Sequence, residues 1–226
     1  AREAVAEFLH SADAQGKATA IIVRINALTT THFAADVRAI AAESLLLINL
    51  PKIESAQEVS EAIGVIDHAF TESGVRSKVE ILANIESPRG LRNAAQIATH
   101  PRVAGLQLGY ADLFGPFGIE RHDFRHLHAA MFSVRMAAAE SAVFAYDGAY
   151  SDIRNVEGFV AEARLARSLG FLGKSCIHPS QVAMANEVFR PGEAEVEQAR
   201  RVLEASRQAT ADGTGAFVLD GRMIDT

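Results

Sequence analysis

The segments ILANIESPRG at residues 81–90 and VAGLQLGYADL at residues 103–113 each pass from an apolar run into a turn that contains glycine. Each run has the length and composition of a strand buried on both faces of a parallel sheet. An acidic residue stands where each run gives way to the turn, Glu86 in the first segment and Asp112 in the second. The carboxyl ends of parallel strands converge on one edge, where loops bind ligands. The two segments therefore predict a parallel sheet with two carboxylates on its carboxyl edge.

The same alternation of strand and helix continues along the chain. Six apolar runs predict strands within residues 20–26, 45–50, 79–85, 103–108, 143–147 and 173–181. Segments with helical patterns follow them, and some begin with a capping serine, as at Ser55 and Ser87. Six such units imply a parallel sheet with right-handed crossovers, which either closes into a barrel or stays open and doubly wound.

The absence of a nucleotide-binding motif favours the barrel. No glycine-rich phosphate loop of the G-x-G-x-x-G or G-x-x-x-x-G-K type follows any predicted strand, and polar residues follow every strand. We therefore predict an α/β fold of the TIM (β/α)8 barrel type. Because such barrels take about 250 residues, we expect the first two strands to precede Ala1. We predict a barrel domain at residues 1–213, incomplete at its N terminus, and a C-terminal lid segment at residues 214–226.

Composition narrows the class of protein. With 226 residues, of which 49% are hydrophobic and 22% are charged, the chain can form one substantial globular core. The formal charge of −6 provides no basic field for nucleic acid, and no apolar run is long enough to span a bilayer. The single cysteine, Cys176, excludes an intramolecular disulfide, and we expect a buried thiol in a reducing compartment. We thus predict a cytoplasmic protein without nucleic-acid or membrane partners.

Paired carboxylates at a sheet edge indicate a hard divalent cation, because such ions prefer oxygen ligands. Glu86 and Asp112 are the predicted metal ligands. The alternative is that each acid only caps the helix after it. No H-E-x-x-H motif or cysteine and histidine spacing is present, which argues against zinc.

Basic residues at strand ends are candidates for substrate binding. Arg24, at the end of the first visible strand, could hold a carboxylate or a developing enolate oxygen, or could form a salt bridge at the sheet edge. Lys52 could contact substrate or thioester, or could form a salt bridge with Glu54 or Glu86. A Schiff base on Lys52 or Lys174 is disfavoured, because acidic neighbours would raise the lysine pKa.

A series of motifs resembles a known family. In chain order, VRIN, LPKIES, IESPRGLRN, GYADL, YDGAYSDI, GFLGKSCIHPSQ and GRMID resemble the HpcH/HpaI aldolase and citrate lyase β-subunit (CitE-like) family over nearly the whole chain. The resemblance implies a Mg2+-dependent carbon–carbon lyase on a TIM barrel. The family usually begins with R-S-x-L-F-V-P and L-E-D-A-V strands, and this sequence contains neither of them.

The resemblance also implies substrates and partners. A member of this family would cleave or condense a 3-hydroxyacyl-CoA thioester, such as malyl-CoA, citramalyl-CoA or a citryl thioester, through a metal-chelated 2-oxo acid and an enolate. The expected partners are an acyl-CoA or acyl-carrier thioester, a small 2-oxo acid and further copies of the chain in a homotrimer or hexamer. Two alternatives remain: an HpaI-type aldolase that acts on free hydroxy-oxo acids, and an accessory β subunit of a citrate lyase complex.

Site residues carry over from the family motifs one by one. Glu86 and Asp112 match the metal ligands, and Arg24 matches an arginine that contacts substrate. Asp225, in GRMID, matches an aspartate that related CoA lyases insert into a neighbouring subunit, where it would transfer a proton; the alternative is a frayed tail. From the sequence itself, backbone N–H groups near Ala111 and Asp112 could bind the carboxylate of the acid.

Overall fold

The computed structural model describes residues 1–15 and 20–225, the last of these by its backbone alone. The chain forms two compact units, Ala1–Val188 and Phe189–Thr226. The first unit contains a parallel sheet with its helices, and the second contains one long helix and a hairpin. The sequence placed the domain boundary after residue 213, whereas here the helix before the hairpin belongs to the same unit as the hairpin.

Six strands form the parallel sheet, in the order in which they occur along the chain. They are β1 (Ile22–Arg24), β2 (Leu47–Leu50), β3 (Glu80–Ile85), β4 (Val103–Leu108), β5 (Phe144–Asp147) and β6 (Gly173–Lys174). All six lie within the runs that predicted them. A doubly wound sheet reverses its strand order at a switch point, and these six strands do not, so the open doubly wound alternative is excluded for this sheet.

Helices precede β1, connect the consecutive strands and follow β6. They are α1 (Arg2–His10), α2 (Ala12–Gln15), α3 (Phe33–Ala39), α4 (Ala56–Glu72), α5 (Pro88–Arg92), α6 (Ala94–Ala98), α7 (Tyr110–Phe114), α8 (Phe124–Glu140), α9 (Val156–Ser168) and α10 (Pro179–Phe189), which ends one residue past the first unit, with a 3-10 turn at Gly115–Phe117. Among the described residues, none of the helices is both long enough and apolar enough to cross a membrane.

Capping groups fix where the loops turn into helices. Ser55 Oγ accepts a hydrogen bond from Glu58 N at 3.2 Å, and Ser87 Oγ accepts one from Gly90 N at 3.0 Å, so both predicted caps are confirmed. The helix predicted after Ser87 divides into α5 and α6. It divides at Asn93, whose Nδ2 donates to the carbonyl of Glu54 at 2.8 Å.

The two faces of the sheet differ in polarity. Ile48, Ile81 and Leu106 lie fully buried on one face, as expected beneath helices. On the other face the register aligns Arg24 with Asn49, and further residues such as Asn84 and Gln107 continue the polar lining. Crossovers of one hand in a sequential sheet place all helices on the same face. The sheet is therefore an α/β half-barrel whose second face borders the candidate site.

The second unit contains α11 (Glu193–Ala211) and an antiparallel hairpin of β7 (Ala216–Leu219) and β8 (Arg222–Asp225). The hairpin lies within residues 214–226, the segment that the sequence predicted to be a lid, and the role of a lid stays a prediction. Within this unit Arg201 Nη2 donates to Asp220 Oδ1 at 2.5 Å, which links the helix to the turn of the hairpin.

Candidate functional site

Glu86 lies directly after β3 and is only 4% exposed. Its Oε1 accepts hydrogen bonds from Arg24 Nη2 at 3.0 Å and from Asn84 Nδ2 at 3.1 Å. Its Oε2 accepts one from the backbone N–H of Lys52 at 3.1 Å. Burial raises the pKa of the Glu86 carboxyl above its ordinary value; Arg24 opposes this increase and Asp112 adds to it. The site thus holds a buried carboxylate whose charge is costly unless a cation stands beside it.

Gly109, which follows β4, leaves the space that Glu86 occupies. A Cβ atom at this position would lie 2.4 Å from Glu86 Cγ and 2.7 Å from Oε1. The Gly109 N–H donates to the Ile85 carbonyl at 3.0 Å, which fixes the two strand ends beside each other. Glycine is therefore required here for close approach, since its φ of −124° is open to any residue.

Asp112 lies in the first turn of α7, after the end of β4. Its side chain is 48% exposed, and its Oδ1 accepts a hydrogen bond from Lys52 Nζ at 3.0 Å. Lys52 therefore contacts both acids, Glu86 through its backbone and Asp112 through its ammonium. The structure places the two predicted ligands on the same edge of the sheet, as the sequence predicted.

The ammonium of Lys52 has a different partner from the two that the sequence offered. It bonds to Asp112, whereas Glu54 accepts a hydrogen bond from Ser87 Oγ at 2.6 Å and lies 3.7 Å from Arg89. Lys52 follows Pro51 with a φ of +56°, in the left-handed region. This backbone conformation accompanies the hydrogen bond from its N–H to Glu86.

The donor set fits a magnesium ion. Glu86 pairs with Arg24 and Asp112 pairs with Lys52, so a bound ion would share these carboxylates with the two cationic side chains. Within the described ranges, no group of three or more His, Cys, Asp or Glu side chains could hold a metal ion. Mg2+ is commonly bound through one or two carboxylates and keeps water or substrate oxygens as its other ligands. Two carboxylates are thus sufficient protein ligands for this ion.

The roles of two further predicted residues, Ala111 and Asp225, stay predictions. Ala111 lies beside Asp112 in the first turn of α7, as expected, and its role in binding an anion stays a prediction. The side chain of Asp225 lies outside the described residues, and its backbone pairs with Ala216 in the hairpin. Its role in proton transfer also stays a prediction.

A row of polar residues on the inner face of the sheet was not predicted from the sequence. Asn49 Nδ2 donates to Gln107 Oε1 at 2.5 Å, and Gln107 Nε2 donates to Ser175 Oγ. These residues line a cavity of about 510 Å3 that Arg24 also borders. The sequence did show a single polar residue within each of the apolar runs LINL and LQL. Such a residue can indicate a strand face that lines the interior of a barrel.

Cys176 lines the same cavity. The sequence predicted a buried thiol, but Cys176 is only partly buried. It follows the short strand β6 and borders the open cavity. Partial burial raises the pKa of its thiol, and Lys174 opposes this increase. Burial therefore does not activate this thiol as a nucleophile.

A buried ion cluster lies around the ends of β5 and β6. Lys174 Nζ bonds to Asp147 Oδ2 and to Glu162 Oε1, both at 2.5 Å, and its side chain is fully buried. Arg121 Nη1 bonds to Glu162 Oε2 at 2.6 Å. Burial acts to raise the pKa of Glu162, but Arg121 and Lys174 outweigh it and lower this pKa. Two carboxylates thus hold the Lys174 ammonium, which agrees with the argument against a Schiff base.

Comparison with known proteins identifies relatives of this chain. The family model described as HpcH/HpaI aldolase/citrate lyase matches residues 1–179. The chain is 36% identical over 211 residues to the citrate lyase subunit beta of Haemophilus influenzae, which covers 90% of this chain and 71% of that protein. It is 33% identical over 205 residues to a (3S)-malyl-CoA thioesterase of Cereibacter sphaeroides, with 90% of this chain and 68% of the relative covered.

Solved structures give a consistent result. The CitE protein of Mycobacterium tuberculosis, in complex with magnesium, acetoacetate and coenzyme A, matches with a TM-score of 0.66 and 33% identity over 91% of this chain and 72% of its own. A citrate lyase of Burkholderia xenovorans matches with a TM-score of 0.84 over 99% of this chain and 73% of its own. At 22% identity, the second match shows the fold alone.

Proposed function

The chain belongs to the HpcH/HpaI aldolase/citrate lyase family, a family of lyases, and we propose that it cleaves or condenses a 3-hydroxyacyl-CoA thioester with Mg2+ as cofactor. One observation carries this proposal: Lys52 contacts both Glu86 and Asp112, the two acids at neighbouring strand ends. The malyl-CoA thioesterase relative and the CitE complex with magnesium and coenzyme A support this class of substrate and this cofactor.

The reaction requires stabilisation of negative charge on both products. In the cleavage direction the bond between C2 and C3 of the thioester breaks, and the hydroxyl group loses its proton to become the carbonyl of a 2-oxo acid. The electron pair of the broken bond remains on the acyl fragment as an enolate, which is then protonated to give the shorter acyl thioester. A malyl thioester would give glyoxylate, and a citramalyl thioester would give pyruvate. Fixed positive groups in the site lower the barrier by stabilising this charge as it develops.

Each site residue has a role in this scheme. Glu86 and Asp112 hold the cation, which when bound supplies a Lewis acid and a template for the oxygens of the acid fragment. Arg24, whose side chain is more than half exposed, binds the substrate carboxylate or the enolate oxygen. Lys52 is placed to bind substrate once its ammonium leaves Asp112, and the backbone of Ala111 and Asp112 binds the acid carboxylate.

Finer features of the assembly belong to the same proposal. We infer that the six-stranded sheet is part of a closed (β/α)8 barrel, because a sequential sheet with helices on one face needs cover for its polar face. In this proposal the C-terminal hairpin is a lid that carries Asp225 to the site of a neighbouring subunit in a homotrimer or hexamer. A cytoplasmic location stays a prediction.

A substrate panel tests the proposed reaction. The purified protein is incubated with malyl-, citramalyl- and citryl-CoA, with the same acyl groups on an acyl carrier, and with free hydroxy-oxo acids, each with Mg2+ or with a chelator. We expect a 2-oxo acid to be released from a CoA thioester in the presence of Mg2+ only. Asp112→Asn should abolish this release. Asp67→Asn should retain it, because Asp67 is equally exposed at 48% and pairs with Arg102 on the outer surface.

The other outcomes contradict the proposal in distinguishable ways. Release from free acids alone would identify an HpaI-type aldolase, and release from the carrier thioester alone would identify an accessory subunit. Coenzyme A thiol released without a 2-oxo acid would identify a thioesterase. No product from any substrate would overturn the proposed activity.

A further inference from the structure

Tyr110 is a buried residue at the start of α7, two positions before Asp112. Its hydroxyl donates a hydrogen bond to Asp147 Oδ1 at 2.5 Å, so it links α7 to the end of β5. The α7 helix has only five residues, and the side chain of Asp112 is bonded to Lys52, which is itself exposed. The place of Asp112 therefore depends on what fixes the first turn of this helix.

Two contacts fix the ring of Tyr110 as well as its hydroxyl. The Arg121 guanidinium carbon lies 4.1 Å from the ring centroid, within the range of a cation–π contact. The backbone of Gly148 lies against the ring edge, since a Cβ atom there would be 2.7 Å from Cδ2 and 2.8 Å from Cε2. The ring therefore has little room to shift or tilt without moving one of these neighbours.

The partners of Tyr110 belong to one closed cycle of contacts. Asp147 is bonded to Lys174, Lys174 is bonded to Glu162, and Glu162 is bonded to Arg121, which returns to the ring of Tyr110. The cycle contains two cationic and two anionic side chains, so its buried charges balance. Breaking one of these contacts would leave a buried charge without its partner, which costs free energy. We therefore expect the side chains of the cycle to be held rigidly in place.

We propose that Tyr110 is a positioning residue, anchored by this ion cycle, that holds the first turn of α7 so that Asp112 points at the cation site. This inference rests on the proposed function, in which Asp112 is a metal ligand. Groups that orient a ligand without touching the metal typically change metal affinity by about 10–100-fold when they are removed. Tyr110 acts through the backbone of α7, so we expect an effect at the lower end of this range.

The test removes one oxygen atom. In Tyr110→Phe the ring and its contact with Arg121 remain, while the hydrogen bond to Asp147 is lost. Tyr150→Phe is the matched control, because Tyr150 is also buried, also lies near Arg121, and has its hydroxyl bonded to Asn155 instead of to a residue that supports α7. Mg2+ affinity is measured by calorimetry, and the EPR spectrum of Mn2+ in the same site reports the geometry of the ligands.

We expect Tyr110→Phe to weaken Mg2+ binding about tenfold and to change the Mn2+ spectrum, while Tyr150→Phe leaves both unchanged. Normal metal binding by Tyr110→Phe, or equal weakening by both variants, would overturn the inference. If Tyr110→Phe does not fold, Gly148→Ala decides, because its Cβ atom would lie 2.7 Å from Tyr110 Cδ2 and 2.6 Å from the carbonyl oxygen of Leu108, and so would displace the ring together with the end of β4 that leads into α7. Normal Mg2+ affinity in that variant would also overturn the inference.

Failure of the proposed function would look different. Wild-type protein that binds no Mg2+, or Asp112→Asn that binds it normally, would remove the metal site itself. Failure of the positioning role alone would leave these two results as expected and would change only the result for Tyr110→Phe.

Discussion

At the scale of single residues, Glu86 can occupy its position only because Gly109 has no side chain. Gly109 leaves room for the carboxylate, and three hydrogen-bond donors from Arg24, Asn84 and Lys52 then hold both of its oxygens. A buried acid held in this way has little freedom to adopt another rotamer. The geometry of one proposed metal ligand is thus fixed by its protein neighbours.

Gly109→Ala should disturb Glu86 directly. The added methyl group would overlap Glu86 Cγ, so we expect a loss of about 1–3 kcal/mol in the free energy of unfolding, as is typical of overpacking, together with weaker Mg2+ binding. Gly115→Ala is the control, because a Cβ atom at that position meets nothing within 4 Å and its φ is −55°. Urea denaturation and calorimetry measure the two effects. Equal stability and equal affinity for both variants would contradict the role of Gly109.

The sequence revealed some of these residues and not others. Glu86 and Asp112 could be identified because strand ends are visible as the ends of apolar runs. The partner of Lys52 could not, because it depends on a left-handed backbone angle and on the distance between two loops. Asn49 and Gln107 could be recognised in the sequence as polar residues within apolar strands, but only the strand register shows that they face one cavity.

At the scale of elements, α3 anchors the loop after β1 through hydrogen bonds between Asp36 and Asn26. Asp36, on α3, accepts hydrogen bonds from Arg2 Nε at 2.8 Å, from Asn26 N at 3.0 Å and from Asn26 Nδ2 at 2.5 Å. Burial acts to raise the pKa of Asp36, but the bonds from Asn26 and Arg2 outweigh it and lower this pKa. Asn26 lies two residues after Arg24, so this anchor also supports the candidate substrate arginine.

Asp36→Asn should therefore lower stability in a pH-dependent way. A carboxyl whose pKa is lower in the folded state contributes stability above its unfolded pKa of about 3.9 and loses it as the pH falls through the folded value. We expect a loss of roughly 1–3 kcal/mol at neutral pH, and a smaller difference from wild type below about pH 4. Urea denaturation across this range measures it, with Asp67→Asn as the control. A difference that does not depend on pH would contradict this origin.

Local signals predicted the elements better than distant contacts did. The caps at Ser55 and Ser87 follow from serine before a helical segment, and both were found. The break between α5 and α6 depends on a bond from Asn93 to the carbonyl of Glu54, 39 residues earlier, and no local pattern contains it.

At the scale of the whole molecule, the candidate site exists only because the sheet is assembled in sequence order. Glu86 follows β3 and Asp112 follows β4, and the parallel pairing of these strands brings the acids to the same edge. Alternation of strand and helix was enough to predict this parallel sheet. It could not show the polarity of the inner face or the unit boundary after Val188, because both depend on packing between distant segments.

Calorimetric titration with magnesium measures whether Glu86 and Asp112 bind the ion. Wild-type protein, Glu86→Gln, Asp112→Asn and the control Asp67→Asn are titrated under the same conditions. We expect one Mg2+ site in the wild type and in the control, and affinity at least about tenfold weaker in each of the other two variants, since each loses the charge of one of the two proposed carboxylate ligands. Wild-type affinity in both Glu86→Gln and Asp112→Asn would contradict the account.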